Sequence, residues 1–274
     1  MSQHLLRPAA MAFDTVAPSF DARFGEWQSV AAQRRAVRVA LLETLRESGN
    51  VLDLGGGTGE DALWLAQRGF QVTLTDASPA MVKIAGKKLA PFGSLAETAA
   101  AEELESFAAS YLRQGGALFD GAFSNFAPLN CVEDLAPMAR GLARLIKPGG
   151  AAMLVLFGTL CPGEILVETL RGRSNQALRR FAHGPAPARL GGQHFTVTYH
   201  RAAALRAAMR PWFRPVRRIG IGVFVPPSAA EPWISRHPAL LNILEALDLV
   251  AARPLALLGD HVLHHFERNE TPAP

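Results

Sequence analysis

An apolar run that carries an acid and then breaks into four glycines leaves a chain few ways to fold. Val51-Leu52-Asp53-Leu54 reads as a short buried strand, and Gly55-Gly56-Gly57-Thr58-Gly59 as a tight turn opening into the helical stretch 61–68. Residues 70–75 then read as a second strand. Strand, glycine turn, helix and strand in quick succession predict parallel pairing with a right-handed crossover. The glycines let the backbone take positive φ and let a ligand approach with no Cβ in the way, while the helix start offers free N–H groups. Asp76 closes the second strand, where a carboxylate can accept hydrogen bonds from both hydroxyls of a ribose. A turn of this kind also meets the looser dinucleotide pattern, through Gly57, Gly59 and Ala62 with Asp76 further on. Asp53 separates the two readings. A carboxylate two residues before the first glycine repels a pyrophosphate and suits a ligand that bears an ammonium and a sulfonium.

The alternation continues along the chain. Helices are expected at 79–89, 102–114 and 132–146, a third strand at 97–100, a fourth at 121–124 and a fifth at 152–157 after the turn Lys147-Pro148-Gly149-Gly150. Ahead of the first strand, Val30, Val37, Leu41, Leu42 and Leu45 are spaced for helices. Residues 161–193 break into helix-like pieces and a loop rich in Gly, Pro and Arg, an insertion placed to cover a site. Strands at 194–199, 216–225 and 261–266, with helices at 202–209 and 238–249, resume the alternation. These elements predict an open α/β sheet with helices on both faces. One domain spans 1–274: cap helices (1–48), a cofactor-binding core (49–160), the lid-like insertion (161–193) and C-terminal core elements (194–274).

Composition narrows the setting. The 274 residues, 49% hydrophobic, suffice for one large core. Two cysteines, Cys131 and Cys161, fit neither a metal spacing nor a disulfide framework, which favours a reducing, cytoplasmic setting. No secretory leader pattern opens the sequence, and the longest apolar run, 151–160, is about half of what a spanning helix needs, so no membrane crossing is expected. The net charge of +4 is carried almost wholly by arginine and demands neither an anionic substrate nor nucleic acid.

On these residues the sequence resembles the class I S-adenosylmethionine-dependent methyltransferases, specifically the small-molecule type. The resemblance is carried by the D-x-G-x-G-x-G loop (Asp53, Gly55, Gly57, Gly59) and by Asp76 followed by Ala77-Ser78-Pro79-Ala80-Met81. The Leu145-Ile146-Lys147-Pro148-Gly149-Gly150 turn and the final Gly259-Asp260-His261-Val262-Leu263 strand extend it over almost the whole chain. It implies a Rossmann-like, doubly wound, seven-stranded, mostly parallel sheet whose last strand is antiparallel. S-adenosylmethionine would lie across the first, second and fourth strands. Asp53 and the loop with Gly55, Gly56, Gly57 and Gly59 would then hold its methionine part and Asp76 its ribose. Ser78 or Met81, next to Ala77, would flank the adenine, Ala101 and Glu102 would reach its amino group, and Ser124, Asn125 and Phe126 would sit beneath the sulfonium. Two departures stand out. Residues 96–103 lack a clear glycine-aspartate pair, and Asn125-Phe126-Ala127-Pro128 lacks the Pro-Pro-aromatic run of nucleic-acid amino-methyltransferases, which turns the expectation toward a small-molecule acceptor.

Methyl transfer from a sulfonium needs alignment first and a base only for some acceptors. His183, His194 and Tyr199, in or beside the insertion, are candidate bases, each weighed against a solvated loop or a packed strand position. Phe20, Asn130, Cys131 and Glu164 are candidate acceptor contacts, against core packing or a helix start that favours an acid. His261, His264 and His265 point to both sides of one strand and so do not form a metal set. Arg171, Arg173, Arg179 and Arg180 read as a solvated helix face ahead of an anion site. Three rivals remain: a nicotinamide-dependent oxidoreductase, disfavoured by Asp53 and by the lack of an evident Tyr/Lys or His/Asp pair; an RNA methyltransferase; and a non-catalytic protein that keeps the cofactor fold.

Overall fold

The computed structural model describes residues 6–45, 48–182 and 184–270. Two helices, α1 (Pro8–Phe24) and α2 (Gln28–Thr44), precede the alternating unit β1 (Asn50–Leu54), α3 (Glu60–Ala66), β2 (Gln71–Asp76), α4 (Pro79–Leu89), β3 (Leu95–Thr98), α5 (Leu104–Arg113), β4 (Phe119–Ser124), α6 (Ala136–Leu145) and β5 (Ile146–Phe157). The insertion follows as α7 (Pro162–Leu170), α8 (Ser174–Ala177), β6 (Ala186–Leu190) and β7 (Gln193–Val197). The chain then returns through α9 (Ala202–Met209), β8 (Phe213–Ile221), α10 (Pro238–Ala251) and β9 (His261–Arg268). No described helix is long and apolar enough to cross a membrane.

Seven strands form one sheet in the order β3-β2-β1-β4-β5-β9-β8. β1 to β5 pair in parallel, and β9 runs antiparallel to both neighbours. The central strands are buried on both sides, as parallel strands covered by crossover helices must be. Along β1, Leu52 and Leu54 enter the core shared with α5, α6 and α9, whereas Val51 enters the core shared with α2, α3 and α4. Both faces being closed, the carboxyl edge of the sheet is left for a ligand.

Three expectations shift. The third strand begins at Leu95, earlier than its alanines suggested, and the 147–150 turn lies inside the long β5. Residues 194–199 do not rejoin the main sheet. Gln193–Val197 pairs with Ala186–Leu190 in a separate hairpin whose two-residue loop is Gly191-Gly192, at φ 56° and 82°. Positive φ at both loop positions matches the twist of a tight hairpin, and a Gly-Gly pair between short extended runs is its sequence signal. The hairpin packs on α1, with the Phe13 and Phe195 rings 6.1 Å apart.

Two buried polar ties anchor the insertion. Asn130 donates from Nδ2 to the Thr198 carbonyl (2.6 Å) and accepts from the Phe157 amide (3.0 Å). Arg180, 4% exposed at its side chain, donates to the carbonyls of Gly158 (2.9 Å) and Asp260 (2.7 Å), to the Asp260 carboxylate (2.5 Å) and to Glu164. Glu164 also takes Arg179.

Asn130→Ala leaves the half-buried Phe157 amide and Thr198 carbonyl without this partner, and urea titration is expected to show a loss of about 1–3 kcal/mol of stability. Burial, reinforced by Arg218 and Arg206 for His264 and by Arg217 for His265, lowers both imidazoles to about 4. Protons then bind the unfolded chain, near its ordinary histidine value, more readily than the folded one. The stability these two histidines contribute is expected to be full above about pH 6.5 and to fall as pH drops toward 4. A His264→Gln, His265→Gln double variant should flatten that slope.

Candidate functional site

At the carboxyl edge of β1 the glycine loop is stitched to β2. The Gly55 and Gly56 amides donate to the Thr75 carbonyl at 2.7 and 3.2 Å. The Gly57 amide donates to Asp76 Oδ2 (2.9 Å), and the Ser78 amide to Asp76 Oδ1 (2.9 Å). These amides favour the Asp76 carboxylate, but burial outweighs them and raises its pKa. Each carboxylate oxygen keeps a further lone pair for a hydroxyl. Gly57 takes φ 56°, and a Cβ there would meet nothing within 4 Å, so the loop presents an open face.

Asp53 lies under that loop, in the space a Cβ on Gly56 would occupy. Its Oδ2 is buried and has no hydrogen-bond partner among the described residues. Burial pushes the Asp53 carboxyl well up, Asp61 and Asp76 push it the same way, and Arg34 pulls back. An unpartnered acid among acids is stabilised by a positive ligand and by no anion. An ammonium- and sulfonium-bearing cofactor therefore fits these residues, and a pyrophosphate does not.

The edge is completed by the segment after β4. Asn125 donates to Asp61 Oδ2 (2.8 Å), and Asp61 Oδ1 accepts from Arg38 (2.7 Å). Phe126 and Ala127 both adopt left-handed φ, 58° and 60°, a conformation that costs on the order of 1–3 kcal/mol per non-glycine residue. The Asn125–Asp61 bond and the Phe126 amide donating to Asn125 Oδ1 (2.8 Å) hold the bend. It turns the Phe126 ring toward Arg34, 4.9 Å away, and toward His261.

α1 covers the loop from above. Asp14 Oδ1 accepts from the Ser78 hydroxyl and the Ala80 amide, both at 2.8 Å. Asp21 accepts from the Thr58 hydroxyl (2.5 Å) and from Lys88 (2.7 Å).

Asp53, Gly55, Gly56, Gly57, Gly59, Asp76, Ala77, Ser78 and Met81 thus line one edge, with Ser124, Asn125 and Phe126 beside them. Met81 is fully buried against Val16 and Ala17, and the Ser78 hydroxyl also caps α4. Ser124 Oγ is buried without a partner among the described residues. Ala101 and Glu102 form a single helical turn, where Glu102 meets Arg7 (2.8 Å). Phe20 stands in the aromatic row of α1, 4.7 Å from Phe24. The Cys131 thiol is pushed up to about 12 by burial, with Glu102 and Asp76 adding to it, and stays protonated.

Other candidates sit elsewhere or are engaged. Glu164 is sealed by Arg179 and Arg180, Asn130 by its two ties, and His194 is exposed on β7. His183 lies outside the described residues. Tyr199 packs near Phe157, rings 5.9 Å apart; burial raises its phenol, with Arg179 and Arg180 opposing. Sequence reasoning missed Asp14, Asp21, Asp61, Arg34 and His261. A signal existed for the first two, since residues seven apart share a helix face.

Residues 24–211 match the profile of a family described as a methyltransferase domain. The chain is 30% identical over 152 residues to the malonyl-[acyl-carrier protein] O-methyltransferase of Salmonella typhimurium, a match covering 55% of each protein and so about half the length of that relative. Among solved structures it is similar to an S-adenosylmethionine-dependent methyltransferase from Mesorhizobium loti (19% identity, TM-score 0.52, 86% of this chain and 98% of that one). It is also similar to the DhpI–SAH complex (14% identity, TM-score 0.53, 99% and 100%). At these identities the structural likeness is one of fold.

Because the folded Asp53 carboxyl holds its proton to higher pH than the unfolded one, its cost to the ligand-free fold is absent below about pH 4 and grows as pH rises above it. Asp53→Asn is expected to raise the melting temperature of the ligand-free protein at pH 7–8, with the gain vanishing toward pH 4. In calorimetric titration the same variant should bind S-adenosylmethionine about tenfold or more weakly, the worth of one lost charge-assisted contact.

Proposed function

The chain belongs to a family of methyltransferase domains, and from that premise we propose that it uses S-adenosylmethionine to methylate a small organic acceptor. The observation that carries this reading is the buried Asp53 carboxyl, its Oδ2 without a partner among the described residues, against Gly56 in a loop whose face at Gly57 is open. In it, Asp53 and the backbone of Gly55, Gly56, Gly57 and Gly59 hold the methionine part of the cofactor. Asp76 takes the ribose hydroxyls, Ala77, Ser78 and Met81 border the adenine with Ala101 and Glu102, and Ser124, Asn125 and Phe126 border the sulfonium. When bound, S-adenosylmethionine supplies a methyl already activated for displacement, so the chain's own contribution is alignment and exclusion of water. Asn125 on Asp61 fixes the edge next to the methyl, and α1, latched by Asp14 and Asp21, closes the loop from solvent.

The acceptor space would lie between Phe126, Phe157 and Tyr199, whose rings suit a small, partly apolar molecule better than a nucleic acid. The rim arginines also favour this. Arg171 and Arg173 sit on Glu168 and Arg179 on Glu164, so much of their charge is already paired. A second reading, an acyl thioester carboxylate, is favoured by the malonyl acceptor of the Salmonella relative. The two unpaired cysteines accord with a cytoplasmic setting.

Incubation with methyl-labelled S-adenosylmethionine and a panel of malonyl-CoA, short dicarboxylates, phenols and amines should release S-adenosylhomocysteine and label one class. Gly57→Val places a β-branched side chain on the open face at positive φ and is expected to weaken cofactor binding at least about tenfold. Cofactor binding with label passing only to RNA would sink the small-acceptor reading.

A further inference from the structure

The start of β9 brings a second polar device to the same edge. His261 pairs with Phe157 at the end of β5 and with Ile221 at the end of β8, which sets it level with the carboxyl ends of the parallel strands. Its ring stacks on Phe157 (4.9 Å, 27°) and meets Phe126 edge-on (5.9 Å, 89°). Phe126 follows Asn125, whose amide is bonded to Asp61 beside the glycine loop. Contacts therefore run without a break from the cofactor loop to His261.

The environment of the ring is asymmetric. Nδ1 is buried and lies 3.4 Å from Asp260 Oδ2, within reach of charge attraction but without a hydrogen bond to any described residue, while Nε2 lies across the ring from that carboxylate. Burial works against ionisation of Asp260, yet His261 and Arg180 hold its carboxyl well below the usual carboxylate range. Gln33 reaches across from α2 to donate to Asp260 Oδ2 at 3.1 Å. The carboxylate, held by Gln33 and Arg180, favours a proton on the Nδ1 side by its charge, and the ring is positioned by its stacking on Phe157 and its edge contact with Phe126. The other charged or titratable groups around the pair are Arg34 of α2 over Phe126, Arg180 over Phe157 (5.3 Å), and Glu164, Tyr199 and Cys161. The Cys161 thiol is pushed up to about 11 by burial, with Asp260 adding to it.

We propose that His261, backed by Asp260, is the group that deprotonates the acceptor, and that the acceptor atom is a neutral hydroxyl oxygen. Its O–H proton passes to Nε2 as the oxygen gains the methyl carbon and the electron pair of the broken S–C bond stays on sulfur. The imidazolium so formed is stabilised by Asp260 and returns its proton to water. The inference rests on the methyltransferase reading and narrows it, since a carboxylate acceptor is already ionised and needs no base.

The test begins with the ring carbon signal of His261, assigned by its contact with Phe157 and by its loss in His261→Gln. It is recorded in the complexes with S-adenosylhomocysteine and with S-adenosylmethionine, which differ by one methyl and one charge. The signal should move between the two complexes; indifference to the methyl overturns the assignment, whether or not any acceptor is turned over. With phenol acceptors, His261→Gln should keep cofactor affinity within about twofold, lower kcat by roughly a hundredfold or more and abolish the acid limb of the pH profile. Retention of rate and limb in the variant overturns the proposal. Transfer to a carboxylate and to no hydroxyl overturns it while leaving the methyltransferase reading intact, whereas failure to bind either cofactor form defeats the family-based reading itself.

Discussion

Removing Asp53 from water while leaving its Oδ2 without a partner among the described residues is the constraint on which the rest of the edge depends. The carboxyl is buried, Asp61 and Asp76 surround it with like charge, and Arg34 opposes them. Its neighbours are arranged to keep that arrangement foldable. Arg38 and Asn125 take up Asp61, backbone amides take up Asp76, and Gly56 leaves room for the unpaired oxygen. A protein selected for stability alone would not assemble three acids here, and such local conflict is characteristic of functional sites.

The same logic explains what the sequence made legible. The glycine loop and its two acids were readable because close backbone approach and ribose binding restrict residue type at fixed spacing. The sheet was readable because strands buried on both faces appear as unbroken apolar runs. The short third strand was only roughly placed, since Leu95–Thr98 is half exposed and carries little apolar signal. Residues 194–199 were misread as a core strand because period-two alternation looks the same in a surface hairpin, and the Gly191-Gly192 turn that decides the matter was passed over.

Long-range pairs were the illegible part. Asp14 to Ser78, Asp21 to Thr58 and Gln33 to Asp260 join residues far apart in the chain, and nothing local demands them. His261 illustrates the point. As one of three histidines on a strand it looked structural, and a His/Asp pair looked absent. The strand end places Asp260 behind its ring, and the left-handed bend at Phe126 places an aromatic wall in front of it.

α1 carries a kinetic implication. It reaches the rest of the protein through polar latches at Asp14 and Asp21, the apolar row that faces Met81, and the β6–β7 hairpin, and it joins α2 through the link Gly25-Glu26-Trp27. On the proposed reading, a spent cofactor bound beneath Thr58 and Ser78 would pass this helix to leave. Undocking α1 breaks several weak contacts at once, a motion of the kind that sets turnover in many enzymes. On that reading the pace of a cycle would be set by the lifting of one helix, outside the sheet edge where bonds are made and broken.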